Sequence, residues 1–456
     1  GYDSYDGGAG KDRIVAYGGK VDIGLTAFAP KNGVETVDAS GASGPVRLLG
    51  DWTDNLLDFS ATTFVGKVSI DGGGGKDTII GSAGDDNIDG GSWGDQVLSG
   101  GSGNDVLHGG TGTDQLAGGG GDDTFRVTGN SGNGFEGYDS YDGGTGKDRI
   151  VAYGGKVDIG LTAFAPKNGV ETVDASGASG PVRLLGDWTD NLLDFSATTF
   201  VGKVSIDGGG GKDTIIGSAG DDNIDGGSWG DQVLSGGNGN DVLHGGTGTD
   251  QLFGGSGDDT FRVTGNSGNG FEGYDSYDGG AGKDRIVAYG GKVDIGLTAF
   301  APKNGVETVD ASGASGPVRL LGDWTDNLLD FSATTFVGKV SIDGGGGKDR
   351  IIGSSGADVM LGGYGADILD GRAGNDRISG GSGADTFVFG KAWGRDVVTD
   401  FQDGVDRLDL RDAGVTKLKD LHIAAIGNDA SISWEGNEIL LVGVKTADLG
   451  ISDFIL

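Results

Sequence analysis

The sequence predicts an all-β fold, a parallel β-solenoid, on three observations. A nine-residue pattern, GGxGxDxUx with U a large apolar residue, runs in tandem. That run lies inside a unit that recurs every 136 residues, and short apolar stretches separate one run from the next. Glycine supplies 101 of the 456 residues, as a chain of closely stacked turns demands.

From Gly72 the chain reads GGGGKDTII (72–80), GSAGDDNID (81–89), an extra Gly90, GSWGDQVLS (91–99), GGSGNDVLH (100–108), GGTGTDQLA (109–117) and GGGGDDTFR (118–126). Glycine suits these turns because the backbone must take φ > 0 and pass close to its neighbour. The sixth position supplies a carboxylate, at Asp77, Asp86, Asp105, Asp114 and Asp123. The eighth is apolar (Ile79, Ile88, Leu98, Leu107, Leu116, Phe125), so a three-residue strand turns one side chain inward per repeat. A strict period with a fixed apolar place argues against a disordered glycine-rich tract.

The motif GYDSYDGG begins at Gly1, Gly137 and Gly273. The first two units differ at four places, Ala9/Thr145, Ser102/Asn238, Ala117/Phe253 and Gly120/Ser256, which points to tandem duplication. The expected organisation is unit 1 over 1–136 (array 72–126), unit 2 over 137–272 (array 208–262), unit 3 over 273–388 (array 344–388), and a different ending over 389–456. The third array reads GGGGKDRII, GSSGADVML, GGYGADILD, GRAGNDRIS and GGSGADTFV. Near-identical copies make repetition the expected working principle, since a catalytic site rarely needs three copies in one chain.

About 56 residues separate the arrays, such as 16–71, with apolar stretches VDIGL (21–25), VETVD (34–38), PVRLL (45–49), LLDFS (56–60) and KVSI (67–70) at intervals of about 11 residues. They read as wider coils of the same solenoid; an inserted β-sandwich is the alternative. Each unit opens with an isolated nonapeptide, GGAGKDRIV at 7–15 and its copies at 143 and 279, where Asp3 and Asp6 are candidate additional ligands.

Thirty-three Lys and Arg against 68 Asp and Glu give a net charge of −35, too acidic for nucleic acid or anionic lipid. Stacked carboxylates repel one another unless a counter-ion reverses the local interaction. Turn carbonyls and aspartates form an all-oxygen donor set, which suits Ca²⁺. Zinc is excluded by the absence of cysteine and by only three histidines, His108, His244 and His422. Folding and metal binding then become one event. No apolar run approaches the ~18 residues of a membrane span, and a long chain without cysteine is compatible with an exported protein stabilised by metal. GGGGKDT (72–78) imitates a phosphate loop, but Asp follows the lysine where Ser or Thr belongs. There is no HExxH, no GxSxG beside a base, and His108 and His244 take the outward ninth position of their turns, so no enzyme is expected.

With these nonapeptides the chain resembles the RTX (repeats-in-toxin) proteins over nearly its whole length. The ending, with DVVTDFQDGVDRLDL (396–410), NDASISWEGNEILLVGV (428–444) and ISDFIL, looks like the cap and uncleaved secretion signal of RTX proteins exported by type I systems, serralysin-like proteases and RTX lipases included. The resemblance implies a calcium-binding β-roll with two nonapeptides per coil. Its ligands would be carbonyls at positions two and four and the carboxylate at position six, shared between turns one coil apart.

Carried onto this sequence, these are Gly8, Gly10 and Asp12 in the first isolated nonapeptide; Gly73, Gly75, Asp77, Ser82, Gly84, Asp86, Gly101, Gly103, Asp105, Gly110, Gly112, Asp114, Gly119, Gly121 and Asp123 in the first array; and Gly144, Gly146 and Asp148 opening the second unit. The second array gives Gly209, Gly211, Asp213, Ser218, Gly220, Asp222, Gly237, Gly239, Asp241, Gly246, Gly248, Asp250, Gly255, Gly257 and Asp259. The third unit gives Gly280, Gly282, Asp284, Gly345, Gly347, Asp349, Ser354, Gly356, Asp358, Gly363, Gly365, Asp367, Arg372, Gly374, Asp376, Gly381, Gly383 and Asp385. Gln96 and Gln232 depart from the pattern at position six, so the stack 77, 96, 114 is expected to bind less tightly than 86, 105, 123. Trp93 and Trp229 sit at that irregular turn, where packing is the ordinary role and sugar stacking the functional one.

The sequence thus describes a secreted calcium-binding structural or adhesive protein of a bacterial surface, matrix or filament, folding outside the cell. Its expected partners are the type I secretion apparatus, further copies of itself end to end or laterally, and a polysaccharide. The alternatives are the export and folding region of a larger enzyme or adhesin, or a carbohydrate-binding module. The chain begins in mid-pattern at Gly1 and reads as part of something larger.

Overall fold

The computed structural model describes residues 1–129, 134–265 and 270–456, which fall into two compact units, Gly1–Asp225 and Gly226–Leu456. Both are parallel β-solenoids, and no α-helix occurs among the described residues.

In Gly1–Asp225 successive strands alternate between sheets. One ten-stranded parallel sheet takes Tyr2–Asp3, Val21–Leu25, Val46–Gly50, Val68–Asp71, Asn87–Asp89, Val106–His108, Thr124–Thr128, Arg149–Gly154, Thr172–Ala178 and Thr199–Val201. Strands Leu56–Asp58, Thr78–Ile80, Val97–Ser102, Gln115–Gly120 and Phe135–Thr145 pair in parallel on another. The eighth-position side chains fall in register, Ile70, Ile88, Leu107, Phe125 and Ile150 on one face and Ile79, Leu98, Leu116 and Tyr141 on the other. All nine are buried to 3% exposure or less. One inward residue per short strand therefore builds a core one side chain wide.

Residues 16–71 are wider coils of the same stack: Val21–Leu25, Val46–Gly50 and Val68–Asp71 lie in the ten-stranded sheet, Leu56–Asp58 in the other, and Arg13–Gly18, Thr36–Ala42 and Thr63–Val65 form a third sheet of three parallel strands. Val21 pairs with Val46, and Val46 with Val68, so no separate sandwich interrupts the stack. The wider interior holds a stacked pair, Phe28 and Phe59, with ring centroids 4.7 Å apart, repeated at Phe164 and Phe195. Outside, Arg47 bridges three coils, its Nε 3.2 Å from Asp22 Oδ1 and its Nη1 2.8 Å from Asp71 Oδ2.

Gly226–Leu456 repeats the plan, with Val233–Asn238, Gln251–Ser256 and Phe271–Ala281 paired in sequence, and changes it at the end. Leu328–Asp330, Arg350–Ile352, Ile368–Asp370, Thr386–Val388 and Arg407–Asp409 form a parallel sheet whose last strand is Phe454–Ile455. Antiparallel strands His422–Ile426, Asp429–Trp434 and Asn437–Leu441 close the other sheet, the last lying parallel to Arg395–Val398.

The single-file core makes each inward residue costly to lose. In saturating calcium, Phe125→Ala is expected to destabilise by about 3–5 kcal/mol in denaturant unfolding, whereas Trp52→Ala, at a side chain 76% exposed, is expected to stay within about 0.5 kcal/mol of the parent.

Candidate metal centres

The sixth-position side chains form two ladders per array. In each, the backbone N–H of one rung donates to the side-chain oxygen of the next rung, one coil on. The first ladder of Gly1–Asp225 runs Asn55, Asp77, Gln96, Asp114, Asp139, at 2.6–2.9 Å per step. The second runs Asp86, Asp105, Asp123, Asp148, Glu171, at 2.7–2.8 Å. In Gly226–Leu456 the ladders are Gln232, Asp250, Asp275; Asp241, Asp259, Asp284, Glu307; Asn327, Asp349, Asp367, Asp385, Asp406; and Asp358, Asp376, Asp396.

One oxygen of each acidic rung after the first of its ladder is thereby used. The other is buried without a partner at Asp77, Asp105, Asp114, Asp123, Asp148, Asp250, Asp259, Asp284, Asp349, Asp367, Asp376, Asp385 and Asp396, and Asp12 Oδ2 is likewise buried without a partner. A buried ionised oxygen with no donor is costly, and the ladder places it beside turn carbonyls. A Cβ at Gly100, for instance, would crowd both Asp105 Oδ2 and the Gly118 carbonyl oxygen. Orphaned carboxylate oxygens among peptide carbonyls are a donor set that fits a hard cation such as Ca²⁺. Among the described residues no group of three or more His, Asp or Glu side chains is placed to hold a metal ion by side chains alone, so the turn carbonyls are needed.

The second- and fourth-position carbonyls point along the stack. At Gly119 and Gly121 φ is 114° and 125°, and a Cβ would overlap the carbonyl oxygens of Gly101 and Gly103 in the coil before. The same stacking relates Gly237 and Gly239 to Gly255 and Gly257, and Gly345 and Gly347 to Gly363 and Gly365.

Several turns differ from this scheme. Ser82 has no left-handed backbone; its N–H donates to Asp86 Oδ2 at 2.6 Å and its hydroxyl reaches the same oxygen at 3.0 Å. Ser218 with Asp222, and Ser354 with Asp358, do the same. These carboxylates are served by their own turn. Arg372 holds a glycine-like φ of 68°, with Nη1 donating to the Ser332 carbonyl at 2.6 Å. The nonapeptides at 143 and 279 are not isolated, because Asp148 and Asp284 are rungs of the ladders above. Asp3 and Asp6 are exposed, and Asp6 Oδ1 accepts from the Gly8 N–H.

The extra residue of the irregular turn is Trp93 rather than Gly90. Gly90 takes the first position, packing on Gln96 as Gly362 packs on Asp367. Ser92 N–H then donates to the Gly73 carbonyl (3.2 Å), as Tyr364 N–H donates to that of Gly345 (3.0 Å).

Rungs absent from the sequence expectation are Asn55 and its copy Asn327, Asp139 and its copy Asp275, Glu171 and its copy Glu307, and Asp396 and Asp406. Two carried a usable signal. GDWTDNLLD (50–58) and GFEGYDSYD (134–142) are degenerate nonapeptides with Asn55 and Asp139 at position six. His108 is likewise not an outward side chain. It is only 14% exposed, with Nδ1 3.3 Å from Asp89 and Nε2 3.4 Å from Glu136. Burial opposes its charge, but hydrogen bonds to the two carboxylates prevail and raise it to about 9.

Burial pushes the ladder carboxyls upward, Asp77, Asp114 and Asp123 to about 6, Asp105, Asp139, Asp349 and Asp376 to about 7, and Asp396 to about 8. Neighbouring aspartates add to the rise at Asp105 and Asp396. The folded chain therefore takes up either protons or a cation at these rungs.

A family model described as the RTX calcium-binding nonapeptide repeat matches residues 69–92, 90–125, 205–228, 226–261, 338–360 and 361–391. Among solved structures, the chain is similar to the AlgE6R3 subunit of the Azotobacter vinelandii mannuronan C5-epimerase (28% identity, 24% of this chain, 77% of that one, TM-score 0.18). The AlgE6R2 subunit of the same enzyme shows 30% identity over 30% of this chain and 91% of that one, TM-score 0.19. The extracellular lipase LipA from Serratia marcescens shows 18% identity over 54% of this chain and 40% of the lipase, TM-score 0.19. No curated protein matches the chain.

A carboxyl raised in the folded state holds its proton more tightly folded than unfolded. That contribution is complete below the unfolded value of about 3.9 and is lost as pH rises through the folded values of about 6 to 8. In excess chelator the β signal in circular dichroism is expected to be stronger at pH 5 than at pH 8. In calcium the dependence reverses, and acid should raise the calcium concentration needed to fold.

Proposed function

Because the chain is an RTX calcium-binding repeat protein, we propose that it is a secreted structural or adhesive component of a bacterial surface, matrix or filament, folding on calcium outside the cell. The observation that carries this reading is the row of buried, unpartnered carboxylate oxygens at Asp105, Asp114 and Asp123. Their ligand partners are the second- and fourth-position carbonyls of the same arrays. Bound calcium supplies the positive charge that these rungs lack. The chain's own part is to hold the carboxylates one coil apart and to keep water from them.

The energetics favour a switch set by compartment. For an assumed Kd of ~0.1 mM and ~2 mM free calcium, each site contributes ~1.8 kcal/mol, and three sites ~5 kcal/mol, comparable with the stability of a whole domain. At the micromolar or lower calcium of a cytosol that contribution vanishes. Export in an unfolded state through a type I apparatus, with 389–456 as signal and cap, fits such a switch. The four differences between residues 1–136 and 137–272 support a role that works by repetition.

Circular dichroism of the full chain at neutral pH tests the reading. Excess chelator should abolish most of the β signal, and Ca²⁺ should restore it at concentrations where Mg²⁺, with its strict octahedral demand, does little. A β spectrum indifferent to chelator at neutral pH would overturn it.

A further inference from the structure

The first and third arrays hold one junction in two forms. Both begin with the same turn, GGGGKD at 72–77 and at 344–349, and in both the N–H of the preceding asparagine, Asn55 or Asn327, donates to its aspartate at 2.8 Å. One coil on, the sequences part. The third array has GGYGAD (362–367), and Asp367 accepts the Asp349 N–H at 2.9 Å through Oδ1 while its Oδ2 lies buried and unpartnered. The first array has GGSWGDQ (90–96), one residue longer and ending in an amide.

There Gln96 is fully buried. Its Oε1 accepts the Asp77 N–H at 2.6 Å, the part played by Asp367 Oδ1. Its Nε2 donates to the Gly75 carbonyl at 3.1 Å and to the Trp93 carbonyl at 2.8 Å. Gly75 is a fourth-position carbonyl of the turn before, and Trp93 is the inserted residue. The carboxamide thus satisfies oxygens of the kind that a cation between the two coils would draw on, and it brings no charge that needs neutralising. Substitution and insertion act together, because the longer turn turns the Trp93 carbonyl inward to meet Nε2, leaving the indole 70% exposed. The pairing recurs at Gln232, whose Nε2 donates to the Trp229 carbonyl at 2.9 Å.

We infer that the Gln96 carboxamide, with the inserted Trp93, stands in for a calcium ion between its own turn and the turn of Asp77, so that this junction closes without metal. The inference rests on the calcium-dependent reading above and refines it. The ladder through Asp77 is interrupted by a neutral rung that needs neither proton nor cation, whereas the corresponding ladder through Asp349 is acidic at every rung from Asp349 to Asp406.

Calcium stoichiometry of the full chain, by equilibrium dialysis with Ca²⁺ after chelator stripping, provides the test. Gln96→Asp should raise the number of ions bound by one, and Asp367→Gln should lower it by one. Unchanged counts in variants that still fold with calcium would overturn the inference. A calcium-loaded crystal structure of the unaltered chain needs no substitution. An ion should lie beside Asp367 and none within bonding distance of the Gly75 carbonyl oxygen; an ion at Gly75 overturns the inference. A parent chain that takes up no calcium at all instead overturns the reading on which it rests, a result distinct from a calcium-binding chain whose count ignores Gln96.

Discussion

Each coil of this fold brings another acidic side chain into register with the last, and the rest of the structure depends on how that column of charge is neutralised. Strands rising about 4.8 Å per coil place like charges closer than a Debye length in any physiological buffer. Three devices answer the problem in different parts of the chain. In the wide coils Arg47 lies between Asp22 and Asp71, half exposed, and Arg183 and Arg319 repeat the arrangement. At Asn55 and Gln96 the rung itself is neutral and donates its amide to carbonyls, that of Asn55 to Thr26 at 3.2 Å. The acidic rungs whose second oxygen has no partner, Asp105, Asp114 and Asp123 among them, are buried too deeply for a side-chain cation, and they take a proton or calcium.

That division follows from space. An arginine needs a long exposed groove to lie along, which coils of 22 to 25 residues between register partners such as Val46 and Val68, or Val21 and Val46, provide. Coils of 18 or 19 residues pack their turn carbonyls against glycines with no room for a Cβ, as at Gly119 and Gly121. Only a group as small as an ion, or one already covalently in place, can enter there. The same tightness that makes glycine obligatory thus selects the kind of counter-charge.

The regular part of this plan was legible in the sequence because it obeys a count. The sixth-position aspartates and eighth-position core residues lie where a period of nine puts them. The wide coils at 16–71 were legible as strands because their apolar residues alternate, although VETVD at 34–38 becomes a strand only from Thr36 to Ala42. What escaped were places where geometry is kept while the letters change. Asn55 keeps the sixth position inside GDWTDN, where Asp51 and Thr53 replace the glycines of positions two and four that mark a turn. Glu171 reaches the Asp148 N–H from a strand edge with no motif around it. Spacing alone puts the inserted residue of the irregular turn at Gly90, because GGSWGDQ fits the period equally well from Gly90 or from Gly91. That distinction rests on which N–H meets the Gly73 carbonyl.

The ending shows the same constraint at work where the repeats stop. A solenoid cannot simply cease, since its last coil would leave an unpaired edge and a carboxylate facing no further rung. Here the ladders continue past the nonapeptides, Asp376 N–H donating to Asp396 and Asp385 N–H to Asp406. Asp406 uses its second oxygen on the Gln402 N–H, so that ladder ends on a rung already satisfied within its own loop. Asp453, fully buried, then ties the final segment back by accepting from Gly404 and Gly450, and Phe454–Ile455 covers the edge of Arg407–Asp409. Asp396 has no such partner for its Oδ2 and is the most strongly raised of these carboxyls, at about 8. Its strand, Arg395–Val398, is the one on which the closing antiparallel strands are laid. The last open rung and the seat of the closing antiparallel strands therefore lie on one strand, Arg395–Val398.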